Sequence, residues 1–253
     1  MPAPRFFVEE PLTANTRIAL AAAVAHHACR VLRLRSGDAI VLFDGRGGEY
    51  RARINAERAG GDAAAVAEVL EFDPVEREAC AHLTLVQALA AASDKVDWLV
   101  EKAVEIGVAR VIMTATSRST PDLDEARRAR RLRRWRELAI AACCQCGRNR
   151  VPSIEIAASL ADALALAGEA DFRWLLEPGA TQDFAPAPRV PHSAAFAIGP
   201  EGGFEASEVQ QAQQAGYVGI SLGSRILRTE TAGLAAAAAW LALNGEFGGA
   251  MPE

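Results

Sequence analysis

Beyond residue 80 the chain alternates short apolar runs with stretches of helical spacing, and no other feature narrows its fold as far. Leu83–Ala90, Val108–Thr114, Phe172–Leu176, Ala194–Ile198 and Val218–Leu222 are mostly apolar and of strand length, as expected for strands covered on both faces. Between them lie helical patterns. Asp94–Ile106 places apolar residues at Val96, Leu99, Val100, Ala103, Val104 and Ile106 and stops at Gly107, a residue suited to end a helix. Leu123–Cys146, Ala158–Ala167, Ser207–Ala215 and Thr231–Leu243 also read as helices. Such alternation predicts an α/β domain with a mainly parallel sheet.

Residues 1–72 read differently. An apolar strand, Ile40–Phe43, meets the turn Asp44-Gly45-Arg46-Gly47-Gly48 and then an alternating strand, Glu49–Ile54, which together predict a hairpin. Ala63–Glu71 reads as a further strand and Ala19–Leu32 as a short helix. A small β-barrel is the natural expectation. Pro74, inside the charged run Asp73–Glu78, marks a boundary between domains 1–72 and 73–253.

With 253 residues, 51% of them hydrophobic, the chain can bury a large core. No uncharged apolar run is long enough to cross a membrane, and the N-terminus lacks a basic-then-apolar leader pattern. Five cysteines, an odd number, fit a reducing cytoplasm better than a disulfide framework. The net charge of −5 is unevenly spread. Residues 118–150 carry ten arginines against four acids, and residues 1–60 nine against six. Only Lys95 and Lys102 are lysines. Arginine islands suit forked contacts with phosphate, although a solvated helix face is an equally good reading of Arg127–Arg136 alone.

The apolar run Ala194–Ile198 ends in "GPEGGF", Gly199–Phe204. A phosphate-binding loop needs a Lys-Ser or Lys-Thr pair after its glycines; this one has neither, and puts Glu201 where phosphate would sit. The dinucleotide fingerprint fails on spacing. A glycine loop at the carboxyl end of a strand, suited to a ligand of little negative charge, remains. A second polar knot follows the next strand, "ISLGSRILRTETAGLAAA", Ile220–Ala237. Two such loops, read as following adjacent strands, predict a small-ligand crevice.

These residues carry a resemblance. "IGPEGGF" followed by "SLGSRILRTETA" is similar to the trefoil-knotted methyltransferases of the SPOUT class, and within them to the RsmE-type 16S ribosomal RNA uridine-N3 methyltransferases. "RFFV" (Arg5–Val8) and "HHACRVLRLRSGD" (His26–Asp38) resemble that family's PUA-like RNA-binding barrel. "SDKVDWLVEKAVEIGVARV" and "SRST" (Ser117–Thr120) resemble its first knot-domain helix and following strand, and "QCGRNRVP" (Gln145–Pro152) resembles its Gln-Ser-x-Arg-x-x-x-Pro segment. Cys146 stands where the family has serine.

The resemblance implies a PUA-like barrel followed by a trefoil-knotted α/β domain, a homodimer, S-adenosylmethionine as cofactor and 16S ribosomal RNA of the small subunit as partner. Carried over by position, the cofactor pocket comprises Ile198, Gly199, Gly202, Leu222, Gly223, Ile226, Leu227 and Arg228, with Glu201 bracing its loop. Uridine N3 must lose a proton to become a nucleophile. Arg228 is the candidate to stabilise the resulting anion; no base is identified. Arg5, Arg30, Arg33, Arg35, Arg127, Arg128, Arg131 and Arg148 are the candidate RNA contacts. His26 and His27 fit a helix end better than a catalytic role, and His82 and His192 carry no motif. Trp98, Trp135, Trp174 and Trp240 read as core or dimer interface. Cys143 and Cys146 lack the further ligands that zinc requires, so no metal is expected. A related knotted methyltransferase of other specificity, or an RNA-binding module without catalysis, remains an alternative.

Overall fold

The computed structural model describes residues 3–59, 62–90, 92–119, 124–182 and 193–248, with the backbone alone for 56–59 and 62–64. Leu123, Thr120 and His192 lie outside the described residues. The chain divides into two compact units. One comprises residues 1–78 with Cys143–Val151; the other comprises 79–142 with 152–253.

The first unit is built on five strands: β1 (Arg5–Phe7), β2 (Thr16–Ala19), β3 (Ala39–Phe43), β4 (Glu49–Ala59) and β5 (Asp62–Asp73). They form a mixed sheet in the order β1-β3-β4-β5-β2, parallel only where β1 meets β3. The hairpin turn between β3 and β4 uses Gly45, Gly47 and Gly48 at φ of 82, 100 and 65°, a region closed to most side chains. Phe6, Leu20, Ile40, Leu42, Ile54 and Val69 gather in one core with Ala25 and Ala28. The helix expected over Ala19–Leu32 is shorter. Ala19 belongs to β2, α1 covers Ala22–His26, and His27–Val31 widens into a π turn. β2 follows no strong apolar alternation, and it gains its hydrogen bonds from pairing with β5.

The second unit contains β6 (His82–Ala88), α2 (Ser93–Ile106), β7 (Arg110–Thr114), α3 (Glu125–Cys146), β8 (Ser153–Ile156), α4 (Leu160–Leu166), β9 (Phe172–Leu176), β10 (Ser193–Ile198), α5 (Ala206–Gln214), β11 (Val218–Ile220) and α6 (Thr229–Leu243). The last turn of α3 belongs to the first unit. All six strands are parallel, in the order β11-β9-β10-β6-β7-β8. Successive side chains of a strand point to opposite faces. Accordingly, Ala195 and Ala197 of β10 join α4 and α5 through Leu160, Leu164 and Ala212, while Phe196 meets the ring of Trp240 on α6 at 6.3 Å. Trp135, Trp174 and Trp240 are buried, whereas Trp98 is 44% exposed. Trp135 still has a polar partner: its indole donates to Asp97 Oδ1 at 3.1 Å.

The strand order corrects one expectation. β10 and β11 are not adjacent, because β9 lies between them. Three strands therefore end side by side where the glycine loops begin, and β9 contributes a third loop.

Candidate functional site

The first loop is packed closely on itself. A Cβ at Gly199 would come within 3.2 Å of Phe204, a contact tighter than most, so glycine eases the close approach of the loop to itself. Gly203 adopts φ 70° and donates its N–H to Pro200 O at 2.9 Å. The loop is also braced from outside. Arg118 Nη1 donates to Gly202 O at 2.9 Å. Buried Glu208 accepts from Glu205 N and Ser117 N, both at 2.8 Å, joining the start of α5 to the segment after β7.

The second loop, Ser221–Arg228, is held more lightly. Gly223 takes φ 87°, Ser221 Oγ donates to Gly223 O at 3.2 Å, and Ile226 is 83% exposed. Its downstream end is Arg228, which precedes the first turn of α6 in an extended conformation. The third loop, Glu177–Ala180, closes with an N–H···O bond of 3.1 Å from Ala180 to Glu177. Its sequence, "LLEPGA", resembles that of the first: an apolar strand that runs into an acid, a proline and a glycine. This pattern is visible in the sequence, and it is the signal that could have found the third loop.

Together the loops enclose a cavity of about 880 Å³, within the range of small-molecule sites. Ile198, Gly199, Leu222, Gly223, Ile226, Leu227 and Arg228 all line it. Gly202 does not; it faces Arg118, whose Cδ lies 3.2 Å from the position a Cβ would take. Lys95, Glu177 and Thr229 line it as well; the sequence places Thr229 at the start of the helix after the second loop but assigns none of the three to the pocket. Lys95 Nζ sits 3.6 Å from Glu201 and 3.4 Å from Glu230. The Arg228 side chain is exposed, with no ion-pair partner among the described residues. Apolar walls with backbone polar groups and both signs of charge at the rim suit a ligand that joins a flat heterocycle to a zwitterionic tail. S-adenosylmethionine has that form, so the residues present fit it.

The remaining candidate arginines separate into two kinds. Arg5 and Arg148 are engaged inside the first unit. Arg5 is ion-paired with Glu49, donates to Asn149 Oδ1 at 2.6 Å and lies over the Phe43 ring at 5.1 Å. Arg148 is 3% exposed and reaches Glu78 at 2.5 Å. These contacts, with Asn149 Nδ2 donating to Val75 O at 2.8 Å, seat the "QCGRNRVP" segment within that unit. Burial pushes the Cys143 thiol up to about 12, so it stays protonated and donates to Arg150 O at 3.6 Å.

The others are more open. Arg30, Arg33 and Arg35 are exposed around the π turn, where Arg33 adopts φ 57°. Among the α3 candidates, Arg127 is exposed and pairs with Asp124 at 3.2 Å. Arg128 donates to Ile156 O at 2.8 Å, and Arg131 is half-buried.

Known proteins agree with this architecture. The RNA methyltransferase domain family matches residues 76–241, and the RNA methyltransferase PUA domain matches residues 20–60. Ribosomal RNA small subunit methyltransferase E of Mycobacterium bovis is 32% identical over 221 residues, covering 81% of this chain and 79% of the relative. That of Bacillus subtilis is 27% identical over 246 residues, covering 93% and 94%. The crystal structure of the Neisseria gonorrhoeae enzyme of that name, bound to S-adenosyl methionine, superposes with a TM-score of 0.85 at 34% identity, covering 96% of this chain and 98% of that one. The chain belongs to the ribosomal RNA small subunit methyltransferase E family.

Proposed function

We propose that this protein transfers a methyl group from S-adenosylmethionine to N3 of a uridine in 16S ribosomal RNA of the small subunit. The observation that carries the reading is the cavity at the carboxyl ends of β9, β10 and β11, walled by two glycine loops and opening beside Arg228, which has no ion-pair partner among the described residues. Relatives of the same name span nearly the whole chain, and one is bound to S-adenosyl methionine.

When bound, the cofactor supplies an electrophilic methyl group, which leaves positioning and proton management to the protein. The cofactor residues would be Ile198 and Gly199 from the first loop and Leu222, Gly223, Ile226, Leu227 and Arg228 from the second, with Gly202 acting through the loop's brace. The imide N3–H of uridine is a weak acid, so the reactive form is the anion, with charge shared by the flanking carbonyl oxygens. Arg228 would donate to such an oxygen and hold that charge at the rim of the cavity. Arginine stays protonated in proteins and cannot act as the base.

RNA would be gripped by Arg30, Arg33 and Arg35 of the first unit and by Arg127, Arg128 and Arg131 of α3, through phosphate contacts that position without selecting sequence. Arg5 and Arg148 would act indirectly by holding the "QCGRNRVP" segment. The protein would work as a cytoplasmic homodimer. Exposed Trp98, Leu243 and Phe247 support an apolar contact with a second copy, and among the described residues no helix is long and apolar enough to cross a membrane.

The test is to incubate the protein with labelled S-adenosylmethionine and small subunits from cells that lack this activity, then digest the RNA and identify the labelled nucleoside. Label in N3-methyluridine is the expected result. Label in another nucleoside would overturn the uridine-N3 assignment and leave the fold untouched.

A further inference from the structure

Gln87 lies at the carboxyl end of β6, is 2% exposed, and belongs to none of the loops around the cavity. Its Nε2 donates to Thr229 Oγ1 at 2.9 Å and to Ala88 O at 3.1 Å. Because a carbonyl can only accept, the contact with Ala88 fixes which end of the amide carries the hydrogens. Thr229, 6% exposed, uses its own hydroxyl proton on Gly199 O at 2.6 Å. A single chain of donors thus runs from β6 through the first residue of α6 to the carbonyl of the first glycine loop. Both Gly199 and Thr229 line the cavity.

The packing around this chain is close. A Cβ at Gly233, one helical turn beyond Thr229, would fall 3.0 Å from Ile198 Cδ1 and 3.6 Å from Gln87 Oε1. The absent side chain lets α6 sit against the ends of both strands. Gln87 Oε1 is itself buried and has no hydrogen-bond partner among the described residues. Burying an unmet acceptor opposes folding, and an apolar side chain of similar length would fill the space without that cost. What the amide alone supplies is a donor aimed at the Thr229 hydroxyl.

We infer that Gln87 and Thr229 are positioning residues that latch the second cavity loop to the first: the hydroxyl of Thr229, oriented by the amide of Gln87, fixes the Gly199 carbonyl and the downstream end Ile226–Arg228 in the arrangement that takes S-adenosylmethionine. The second loop has few bonds of its own, so its register over the cavity depends on where α6 begins. The inference rests on S-adenosylmethionine being the cavity's ligand, and its test separates the two.

The experiment is calorimetric titration of the full-length protein with S-adenosylmethionine, with melting temperature measured on the same samples. Thr229→Val keeps the shape and removes the donor, and is expected to weaken binding about ten-fold, the scale of one buried hydrogen bond. Thr229→Ser restores the hydroxyl and should return affinity to within about three-fold of the parent, a smaller step on the same scale. Gln87→Met removes the unmet Oε1 and leaves Ala88 O and Thr229 Oγ1 each short of one donor. It should weaken binding by roughly three- to ten-fold while lowering the melting temperature by no more than about 3 °C, because relief of the unmet Oε1 offsets much of the cost of the lost donors. A packing role predicts the opposite split, with stability lost and affinity kept. Should Thr229→Val fail to fold, Gln87→Met decides the matter. Equal affinity in the parent and both donor-deleting variants would overturn the latch alone. Failure of serine to rescue a folded Thr229 site would do the same, since the hydroxyl would then be irrelevant. Absence of binding by the parent protein would overturn the cofactor reading and the latch with it.

Discussion

Arg148 and Arg228 are the same residue type put to opposite uses. Arg148 lies in the first unit, 3% exposed, locked to Glu78 and surrounded by the Arg5, Glu49 and Asn149 contacts. Arg228 lies in the second unit, exposed at the rim of the cavity, with no carboxylate among the described residues holding it. The difference teaches that an arginine's role is decided by whether its own chain supplies the counter-charge. Where it does, the guanidinium holds the fold; where it does not, it is available to a ligand.

The largest expected effect tests the first half of that contrast. Arg148→Ala removes the buried side of a pair whose other side, Glu78, is 22% exposed, and should cost about 3 kcal/mol of stability, the low end for a broken buried pair, measured by chemical denaturation. Unchanged stability would break the comparison outright. Next comes Arg228→Ala, which should lower methyl transfer by about 10²–10³-fold, the scale of losing one donor to a developing anion, with the melting temperature unaltered. A loss confined to KM would move Arg228 from charge stabilisation to plain binding.

A third prediction concerns pH. Burial pushes the Glu49 carboxyl up, but hydrogen bonds from Arg5 and Arg77 outweigh it and leave the group below its ordinary value of 4.5. A carboxyl lowered in the folded state contributes stability that is present above the unfolded value and lost as pH falls through the folded one. Glu49→Gln should therefore flatten the acid limb of the stability–pH curve; an unchanged limb would show that the pair carries no linkage. The smallest effect sharpens the other half. Replacing Arg30, Arg33 and Arg35 together by Gln should leave stability near that of the parent. The log–log salt dependence of RNA binding should become shallower by about 0.7 for each phosphate that is no longer neutralised.

Much of the fold was legible in the sequence, for reasons that particular residues make plain. The parallel sheet announced itself because strands covered on both faces carry unbroken apolar runs, as in β6 and β10. The glycine loops were legible because Gly203 and Gly223 need positive φ. β8 escaped because "SIEI" is four residues long at the edge of its sheet, a weak signal by itself. The insertion of β9 between β10 and β11 escaped because strand order depends on helix packing far along the chain. The engagement of Arg5 and Arg148 could not be read at all, since their carboxylate partners lie 44 and 70 residues away. The place of Lys95 and Thr229 in the cavity went unassigned for a related reason: each belongs to a helix and reaches the cavity only through the docking of that helix on the sheet.

The discontinuity of the first unit bears on how the chain is synthesised. Residues 1–78 are completed by Cys143–Val151, the stretch that brings Arg148 to Glu78 and Asn149 to Val75. At translation rates of about 5–20 residues per second, the leading portion waits roughly 3–13 s, while residues 79–142 emerge, before its missing partner begins to arrive. Through that interval Arg5 and Glu49 have each other but not Asn149 or Arg148. A nascent chain arrested before residue 143 should accordingly be cut more readily by protease within its first 78 residues than one arrested well past residue 151.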